Sequence, residues 1–284
     1  MRKLFKKGVS TVVMTAGLLL SANMSNAAEI LVVDEGGRLS AWSDLFENTF
    51  GDTLTVTNSW NMLPADLSTF DVIWDGGFLS NPGDAAAQSV IDFVNSGGGF
   101  YGQTERPCCE THNDWVEGIF KALTGDMAMQ FGGAGDSPVS ATGTFLTPDT
   151  TILLEPNDIR NTTFDIQAPG QLFVSDVTKV FAAQDVPNGF NIGVAYATED
   201  LVNNVGRIVT ISDIDWLNSI SDDEARALEN IRLFLLDGES LVEGCGANPN
   251  LPECQVEVPV SAPATGVLML LGLSLMGVRF ARKS

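Results

Sequence analysis

The sequence predicts an α/β fold: a three-layer sandwich in which helices cover both faces of a mostly parallel sheet. Short continuous apolar runs, typical of strands buried on both faces, alternate along the chain with amphipathic helical patterns. Glycine clusters separate several of these segments and mark turns. Hydrophobic residues make up 44% of the 284 residues and aromatic residues 8%, which supports a packed core and excludes a disordered chain.

Four strands and three helices are predicted in the first part of the domain. The strands cover residues 30–34, 54–57, 70–74 and 100–102. The helices cover residues 39–50, residues 84–96, and a segment from the N-cap candidate Asn113 to Gly125. The clearest helix carries apolar residues at the i, i+3, i+4 and i+7 positions, starting from Ala87. Gly97 and the two glycines after it end that helix.

Residues 126–200 follow a different pattern. Thr, Gly, Val and Phe form short alternating runs, such as 143–146 and 172–174, which predict a β-rich insertion with long loops. A strand pattern returns at residues 207–211. The helix after it opens with Ser221 and Glu224, which have the spacing of a capping box. The α/β domain is therefore expected to span residues 29–238.

The first 28 residues predict a signal peptide. Four basic residues lie within the first seven positions, an apolar run covers residues 9–20, and Ser25-Asn26-Ala27-Ala28 supplies small residues for cleavage. This order is that of a secretory signal, and the apolar run is too short for a comfortable membrane span. We expect cleavage after Ala27 or Ala28 and export of the mature protein.

Charge is distributed unevenly along the chain. The formal net charge is -21, yet the two terminal segments contain seven of the 15 Lys and Arg residues and no Asp or Glu. Residues 29–257 therefore hold 8 basic and 36 acidic residues, a balance of -28. Such a field repels nucleic acid and anionic membrane surfaces and can attract divalent cations, while a solvated acidic surface is the favoured explanation of the charge. Nucleic-acid binding is excluded as a function of the domain.

The sequence predicts a linker over residues 239–260 and a sorting tail over residues 261–284. A proline-containing segment precedes the apolar residues 266–278, and three basic residues follow them. This order resembles the PEP-CTERM tail, although Ser261-Ala262-Pro263 replaces the usual Pro-Glu-Pro. The resemblance implies an exosortase-type processing enzyme as a partner, transient inner-membrane anchoring, and the surface or extracellular matrix of a Gram-negative bacterium. An ordinary single-span anchor is the alternative.

The four cysteines form two groups. Cys245 and Cys254 flank a short loop in the linker and pair most simply with each other, because a short loop is easy to close. Cys108 and Cys109 are adjacent, so that either they form a vicinal disulfide or one of them pairs elsewhere. An oxidising compartment favours disulfides, while the sequence alone allows three connectivities.

The layout from about residue 29 to residue 238 resembles the class I glutamine amidotransferase-like superfamily, whose domain is flavodoxin-like. Residues 75–83 resemble its Gly-Gly oxyanion loop after the third strand. Residues 97–102 resemble the strand that leads to its nucleophile elbow. Residues 207–235 resemble the closing strand and helix of its non-catalytic relatives. The resemblance is one of layout more than of motif, and it implies the fold.

The sequence departs from that family at the nucleophile. Active members carry a Cys within a Gly-x-Cys-x-Gly elbow, whereas this chain has Gly99-Phe-Tyr-Gly-Gln103 there and no Gly-x-Ser-x-Gly elsewhere. The departure argues against hydrolytic chemistry. A thiol activated by His112, the only histidine, is one alternative for Cys108 and Cys109, and a metal site is another. A disulfide is favoured over both, and His112 is expected at the surface or at a helix start.

Acidic residues recur where the predicted parallel strands end. In open α/β sheets the ligand crevice lies at this edge. The candidates are Asp34, Glu35, Asp75, Glu105, Asp213 and Asp215, with Gln103 beside them. Clustered carboxylates repel unless a cation joins them, which indicates a Ca²⁺ or Mg²⁺ site or a polar ligand cleft. Helix caps and turn acids explain the same positions without any site.

Two functions follow from these observations. The first is a non-catalytic surface or matrix protein whose domain binds an extracellular polysaccharide or a surface protein. The alternative is an exported hydrolase that uses the acidic edge or the segment containing Cys108, Cys109 and His112. The missing elbow favours the first.

Overall fold

The computed structural model describes residues 27–35, 37, 42–132, 141–148, 150–184 and 189–236. The strands are β1 (Glu29–Val33), β2 (Thr53–Thr57), β3 (Val72–Asp75), β4 (Gly99–Tyr101), β5 (Gln130–Phe131), β6 (Ala141–Phe145), β7 (Thr163–Ile166), β8 (Leu172–Phe173), β9 (Val180–Gln184), β10 (Asn191–Tyr196) and β11 (Arg207–Ile211). The helices are α1 (Asp84–Asn95), α2 (Glu110–Thr124), α3 (Thr151–Leu154) and α4 (Asp222–Leu236), with a π-helical segment at Leu45–Phe50. Short 3-10 turns lie at Trp60–Met62, Pro107–Cys109, Val177–Lys179, Thr198–Asp200 and Ile214–Leu217.

One nine-stranded sheet forms the centre of the domain, in the order β2-β1-β3-β4-β11-β10-β9-β6-β7. The first five strands in this order are parallel, and the remaining four are added through antiparallel pairs. The β-rich stretch predicted over residues 126–200 supplies β5 to β10, and four of these strands extend the main sheet. The predicted α/β fold is confirmed.

The sheet separates two apolar layers. Leu31 and Ile73 face α1 and α2, where Val90 and Val116 pack. Ile30, Val32 and Trp74 face the other side, where the π-helical segment and α4 pack through residues such as Phe46, Leu228 and Ile231. Because successive strand residues point to opposite faces, continuous apolar runs in β1 and β3 supply both layers. This is the three-layer arrangement that the alternating pattern predicts.

Several element boundaries differ from the prediction. The third strand is Val72–Asp75 rather than 70–74, because the Phe70 amide closes a turn onto Leu67 O at 3.1 Å. Within the predicted helix 39–50, residues 39–41 lie outside the described residues, and Leu45–Phe50 is π-helical. Helix α2 begins at Glu110, so Asn113 lies within it and is not its N-cap. The capping box is confirmed, since the Ser221 amide donates to Glu224 Oε2 at 2.7 Å and the Glu224 amide to Ser221 Oγ at 3.3 Å.

Within the described part of the chain, no helix is both long enough and apolar enough to cross a membrane. Residues 1–26, the linker with Cys245 and Cys254, and the predicted tail lie outside the described residues.

Substitution of Gly99 by Ala should lower the free energy of unfolding by about 1–3 kcal/mol, because overpacking a close backbone contact forces the neighbours apart. A Cβ atom at Gly99 would lie 2.4 Å from Leu235 O, where β4 passes beneath α4. Chemical denaturation measures the effect. Gly118→Ala is the matched control: this exposed glycine within α2 has nothing within 4 Å of a Cβ, so the change should stabilise by about 0.5–1 kcal/mol. Equal effects of the two changes would contradict the packing described for β4.

Candidate functional site

Asp75 organises the carboxyl edge of the sheet. Its side chain is fully buried at the end of β3. Oδ1 accepts the amide of Gly77 at 2.9 Å, and Oδ2 accepts the amide of Gln103 at 3.2 Å. A Cβ atom on Gly77 would lie 3.2 Å from Asp75 Oδ1, so the glycine allows the loop to wrap closely around the carboxylate. The Gly77 amide, in the loop that resembles an oxyanion hole, therefore donates its hydrogen bond to the Asp75 carboxylate of the same chain.

His112 completes the contacts of Asp75. Its Nε2 lies 2.9 Å from Asp75 Oδ2, and its Nδ1 lies 2.7 Å from Ser80 O. A carbonyl oxygen can only accept, so Nδ1 donates to Ser80, and a charged imidazolium can donate to both partners. Burial lowers the pKa of His112, but the charge and hydrogen bond of Asp75 and the bond to Ser80 outweigh it, so that the pKa is raised.

Of the two positions expected for His112, the structure confirms the helix start and not the surface. The residue does lie in the first turn of α2, but it is fully buried. Both of its ring nitrogens face protein acceptors, which leaves neither available to a substrate or to a thiol. The ring acts instead as a link between α2 and the loop after β3.

Gln103 is the last residue of segment 99–103, the segment compared with the nucleophile elbow from the sequence. The side chain is fully buried. Its Oε1 accepts the hydroxyl of Tyr101 at 3.0 Å, and its Nε2 donates to Thr104 O at 2.5 Å and to Ile211 O at 3.1 Å. Trp216 Nε1 donates in turn to the Tyr101 hydroxyl at 2.9 Å. The side chains of Gln103 and Tyr101 are thus both hydrogen-bonded within the protein.

Three of the predicted acidic residues meet at the ends of β4 and β11. Glu105 accepts the amide of Arg106 at 2.8 Å and that of Ile214 at 3.0 Å. Asp213 accepts the amide of Asp215 at 2.6 Å and that of Gln167 at 2.5 Å. Burial raises the pKa of Asp213 to about 8, and the neighbouring Glu105 adds to the shift. Burial also raises the pKa of Glu105.

The acidic edge is therefore two groups rather than one. Glu35 accepts the hydroxyl of Ser80 and lies beside Gly77, on the side of Asp75. Asp34 is half-buried next to Gly76. Across the ranges that the structure describes, no three His, Cys, Asp or Glu side chains are arranged to hold a metal ion. Asp75 and Asp213 act as turn and cap residues, which was the alternative explanation for the acidic positions at the strand ends.

Cys108 and Cys109 form a vicinal disulfide, with their Cα atoms 3.8 Å apart. The 3-10 turn Pro107–Cys109 carries the pair into the start of α2. Cys109 is buried and Cys108 is exposed. Because the described cysteines are both oxidised and His112 is fully engaged, the thiol nucleophile considered for this segment is not formed.

A cleft of about 320 Å³ opens beside the disulfide. It collects side chains from the ends of β4, β7 and β11 and from the loop after β3. Its lining residues are Phe78, Glu105, Arg106, Cys108, Gln167, Ile214 and Asp215. The cleft lies at the edge where open α/β sheets bind ligands, and its volume is at the small end of the range for ligand pockets. It is the candidate site.

A second cavity, of about 190 Å³, lies near the start of β11 and hence at the opposite edge. Its charged groups contact other protein groups: Arg207 donates to Phe234 O at 2.8 Å, and Lys179 pairs with Asp200 at 2.6 Å. We assign these contacts to the stability of the fold.

Asn113 is a site residue that the sequence interpretation missed. Its Oδ1 accepts the amide of Glu105 at 2.9 Å, and its Nδ2 donates to Glu105 O at 2.8 Å. These bonds fix the backbone at the floor of the cleft. A signal was present, because Asn113 and His112 precede the buried Val116 by three and four residues and so share its inner helix face.

Two solved structures share the fold at low sequence identity. A protein of Bacteroides uniformis ATCC 8492 described as ThuA-like is 14% identical, with a TM-score of 0.52 over 76% of this chain and 94% of its own. The mmIFT52 N-terminal domain is 10% identical, with a TM-score of 0.54 over 75% of this chain and 99% of its own. These likenesses show that the chain shares an α/β fold with both proteins and show no more than the fold.

A glutamine amidotransferase of Thermotoga maritima is also similar, at 10% identity over 73% of this chain and 88% of its own. Its TM-score of 0.39 is too low to support a conclusion. No protein-family model and no curated protein matches the sequence.

The free energy of unfolding should fall between pH 5 and pH 8, and Asp213→Asn should flatten that fall. Folding raises the pKa of Asp213 from 3.8 to about 8. Such a group stabilises the native state fully at pH values below its unfolded pKa, and this stabilisation is lost as the pH rises through its folded pKa. The slope is at most about 1.4 kcal/mol per pH unit for one proton. His112 and Glu105, whose pKa values are also raised, add in the same direction.

Urea denaturation at a series of pH values measures this slope. Asp158→Asn is the control, because its carboxylate pairs with Arg160 on the surface and its lowered pKa lies below the tested range. An identical slope in the wild type and in Asp213→Asn would contradict the burial assigned to Asp213.

Proposed function

We propose that this protein is exported to the surface or extracellular matrix of a Gram-negative bacterium. There its amidotransferase-like domain binds a neutral extracellular polysaccharide without catalysis. A signal peptide before the domain and a PEP-CTERM-like tail after it, processed by an exosortase-type enzyme, support the location. The observation that carries the binding role is the cleft at the carboxyl edge of the sheet.

The lining of the cleft suits a neutral, hydroxyl-rich ligand. Glu105, Asp215 and Gln167 provide oxygen atoms that can accept hydroxyl hydrogen bonds. Phe78 and the exposed Cys108 provide apolar and polarisable surface for the carbon face of a sugar ring. The excess of acidic residues over residues 29–257 disfavours an anionic chain.

Three observations support a non-catalytic role. Both ring nitrogens of His112 are engaged by Asp75 and Ser80. The two cysteines near the cleft are bonded to each other. Both oxygens of Glu105 accept backbone amides, which favours a structural role over acid–base chemistry.

A soluble neutral oligosaccharide that binds the domain should bind about tenfold more weakly to Phe78→Ala, a loss equal to about 1.4 kcal/mol. Leu79→Ala is the matched control, because Leu79 is the next residue, is 70% exposed and does not line the cleft. Calorimetric titration against a panel of neutral and anionic oligosaccharides gives the affinities. The bound sugar should be recovered uncleaved. Cleaved product, or equal losses in both variants, would refute the proposal.

Export should depend on the apolar run at residues 9–20. Leu19→Arg places a charge in that run and should leave the protein in the cytoplasm at its full precursor mass, since a signal peptide needs an uninterrupted apolar core. Fractionation followed by intact-mass measurement tests this. The conservative change Leu19→Ile should be exported like the wild type. A secreted wild-type protein that retains Lys6 and Lys7 would refute a cleaved signal.

A further inference from the structure

The backbone nitrogen of Ala28 lies in a buried cluster of polar and charged groups. It donates to Asp52 Oδ1 at 2.9 Å. The same carboxylate pairs with Arg232, whose Nε lies 2.5 Å from Asp52 Oδ2 and whose Nη2 contacts Oδ1. Ala28, Asp52 and Arg232 are 2%, 6% and 1% exposed. This site belongs to the side of the sheet that α4 covers and is remote from the cleft.

The surroundings fix Ala28 on both sides. Its carbonyl accepts the amide of Thr53 at 2.8 Å, which begins the pairing of β1 with β2. Its methyl group belongs to the apolar layer between the sheet and α4. The Arg232 guanidinium lies 5.5 Å from the ring centre of Phe50. Ala27, one residue earlier, is exposed, so that the boundary between buried and exposed chain falls at the peptide bond that joins the two alanines.

The two cleavage positions that the sequence allows have different consequences. Hydrolysis after Ala27 consumes one water, leaves a carboxylate on Ala27, and places the new α-ammonium on the nitrogen that already contacts Asp52. Hydrolysis after Ala28 removes the buried alanine with its hydrogen bond. It places the ammonium on Glu29, whose nitrogen contacts Asp71 Oδ2 at 2.9 Å on the exposed surface.

The residue types around the bond favour cleavage after Ala27. Signal cleavage requires small residues at the first and third positions before the cut. Cleavage after Ala27 presents Ala27 and Ser25, which are both small, whereas cleavage after Ala28 presents Ala28 and the larger Asn26.

We propose that the signal is cut between Ala27 and Ala28 and that the released α-ammonium of Ala28 forms a buried ion pair with Asp52. This inference rests on the proposed export. The ammonium joins Arg232 as the second cation on one carboxylate, and so fastens the start of β1 to α4. Removal of the signal then adds a stabilising contact that the precursor, with an uncharged amide at this position, lacks.

The position of the cut is tested on the exported protein by intact mass and N-terminal peptide sequencing. A mature chain that begins at Ala28 is expected. A chain that begins at Glu29 would overturn the inferred site while leaving export intact. An exported chain that retains residues 1–27 would overturn this inference, whereas wild-type protein found only in the cytoplasm at its full precursor mass would overturn the proposed export as well.

The ion pair is tested on chains that begin at Ala28 and run to the end of the sequence, with either a free or an acetylated α-amino group. Acetylation keeps the N–H donor and removes the charge, so the free form should melt about 2–4 °C higher at pH 6.5, the shift expected for one moderate interaction in a domain of this size. The difference should vanish above the pKa of the amino group. It should also vanish in Asp52→Asn at all pH values.

Asp71→Asn is the matched control for these melts, because it neutralises the aspartate that a chain beginning at Glu29 would use. The difference between free and acetylated Ala28 chains should persist in that variant. Equal melting temperatures for the free and acetylated wild-type chains would overturn the ion pair even if the cut falls after Ala27. If Asp52→Asn fails to fold, the ion pair is still tested by the pH dependence of the difference in melting temperature between the free and acetylated wild-type chains.

Discussion

The carboxyl edge of the sheet depends on one buried carboxylate. Asp75 receives an amide from its own loop, an amide from the end of β4, and the ring of His112 from α2. Unpaired, a carboxylate in this position would carry a large desolvation cost. The loop, the strand and the helix are therefore held in one arrangement. Loss of any single partner would leave a buried charge incompletely satisfied, which is more costly than loss of an ordinary contact.

In this arrangement the polar groups near the carboxyl edge bind other parts of the same chain. Gln103 bonds to Tyr101 and to the backbone, and His112 bonds to Asp75 and Ser80. The open space lies to one side, between the ends of β4, β7 and β11. A ligand there meets oxygen acceptors, an aromatic ring and a disulfide.

The sequence predicted the parallel half of the sheet well, because strands buried on both faces have a distinctive continuous apolar pattern and their helices end at glycines. It could not predict that β6, β7, β9 and β10 join that sheet, since pairing partners of short alternating strands are set by distant contacts. The acids at the strand ends were correctly placed at one edge. Their division into two groups depends on the positions of Ser80, Gln167 and Asn113, which sequence spacing does not encode.

The buried charges show where the domain can respond to its surroundings. Asp52 is neutralised by Arg232, and Asp75 is paired with His112. Asp213 differs in two ways. In the described structure its hydrogen-bond partners are backbone amides, and its neighbour Glu105 is another acid. A proton is the simplest counter-charge for such a pair. Protonation of Asp213 is therefore coupled to Glu105, whose side chain lines the cleft.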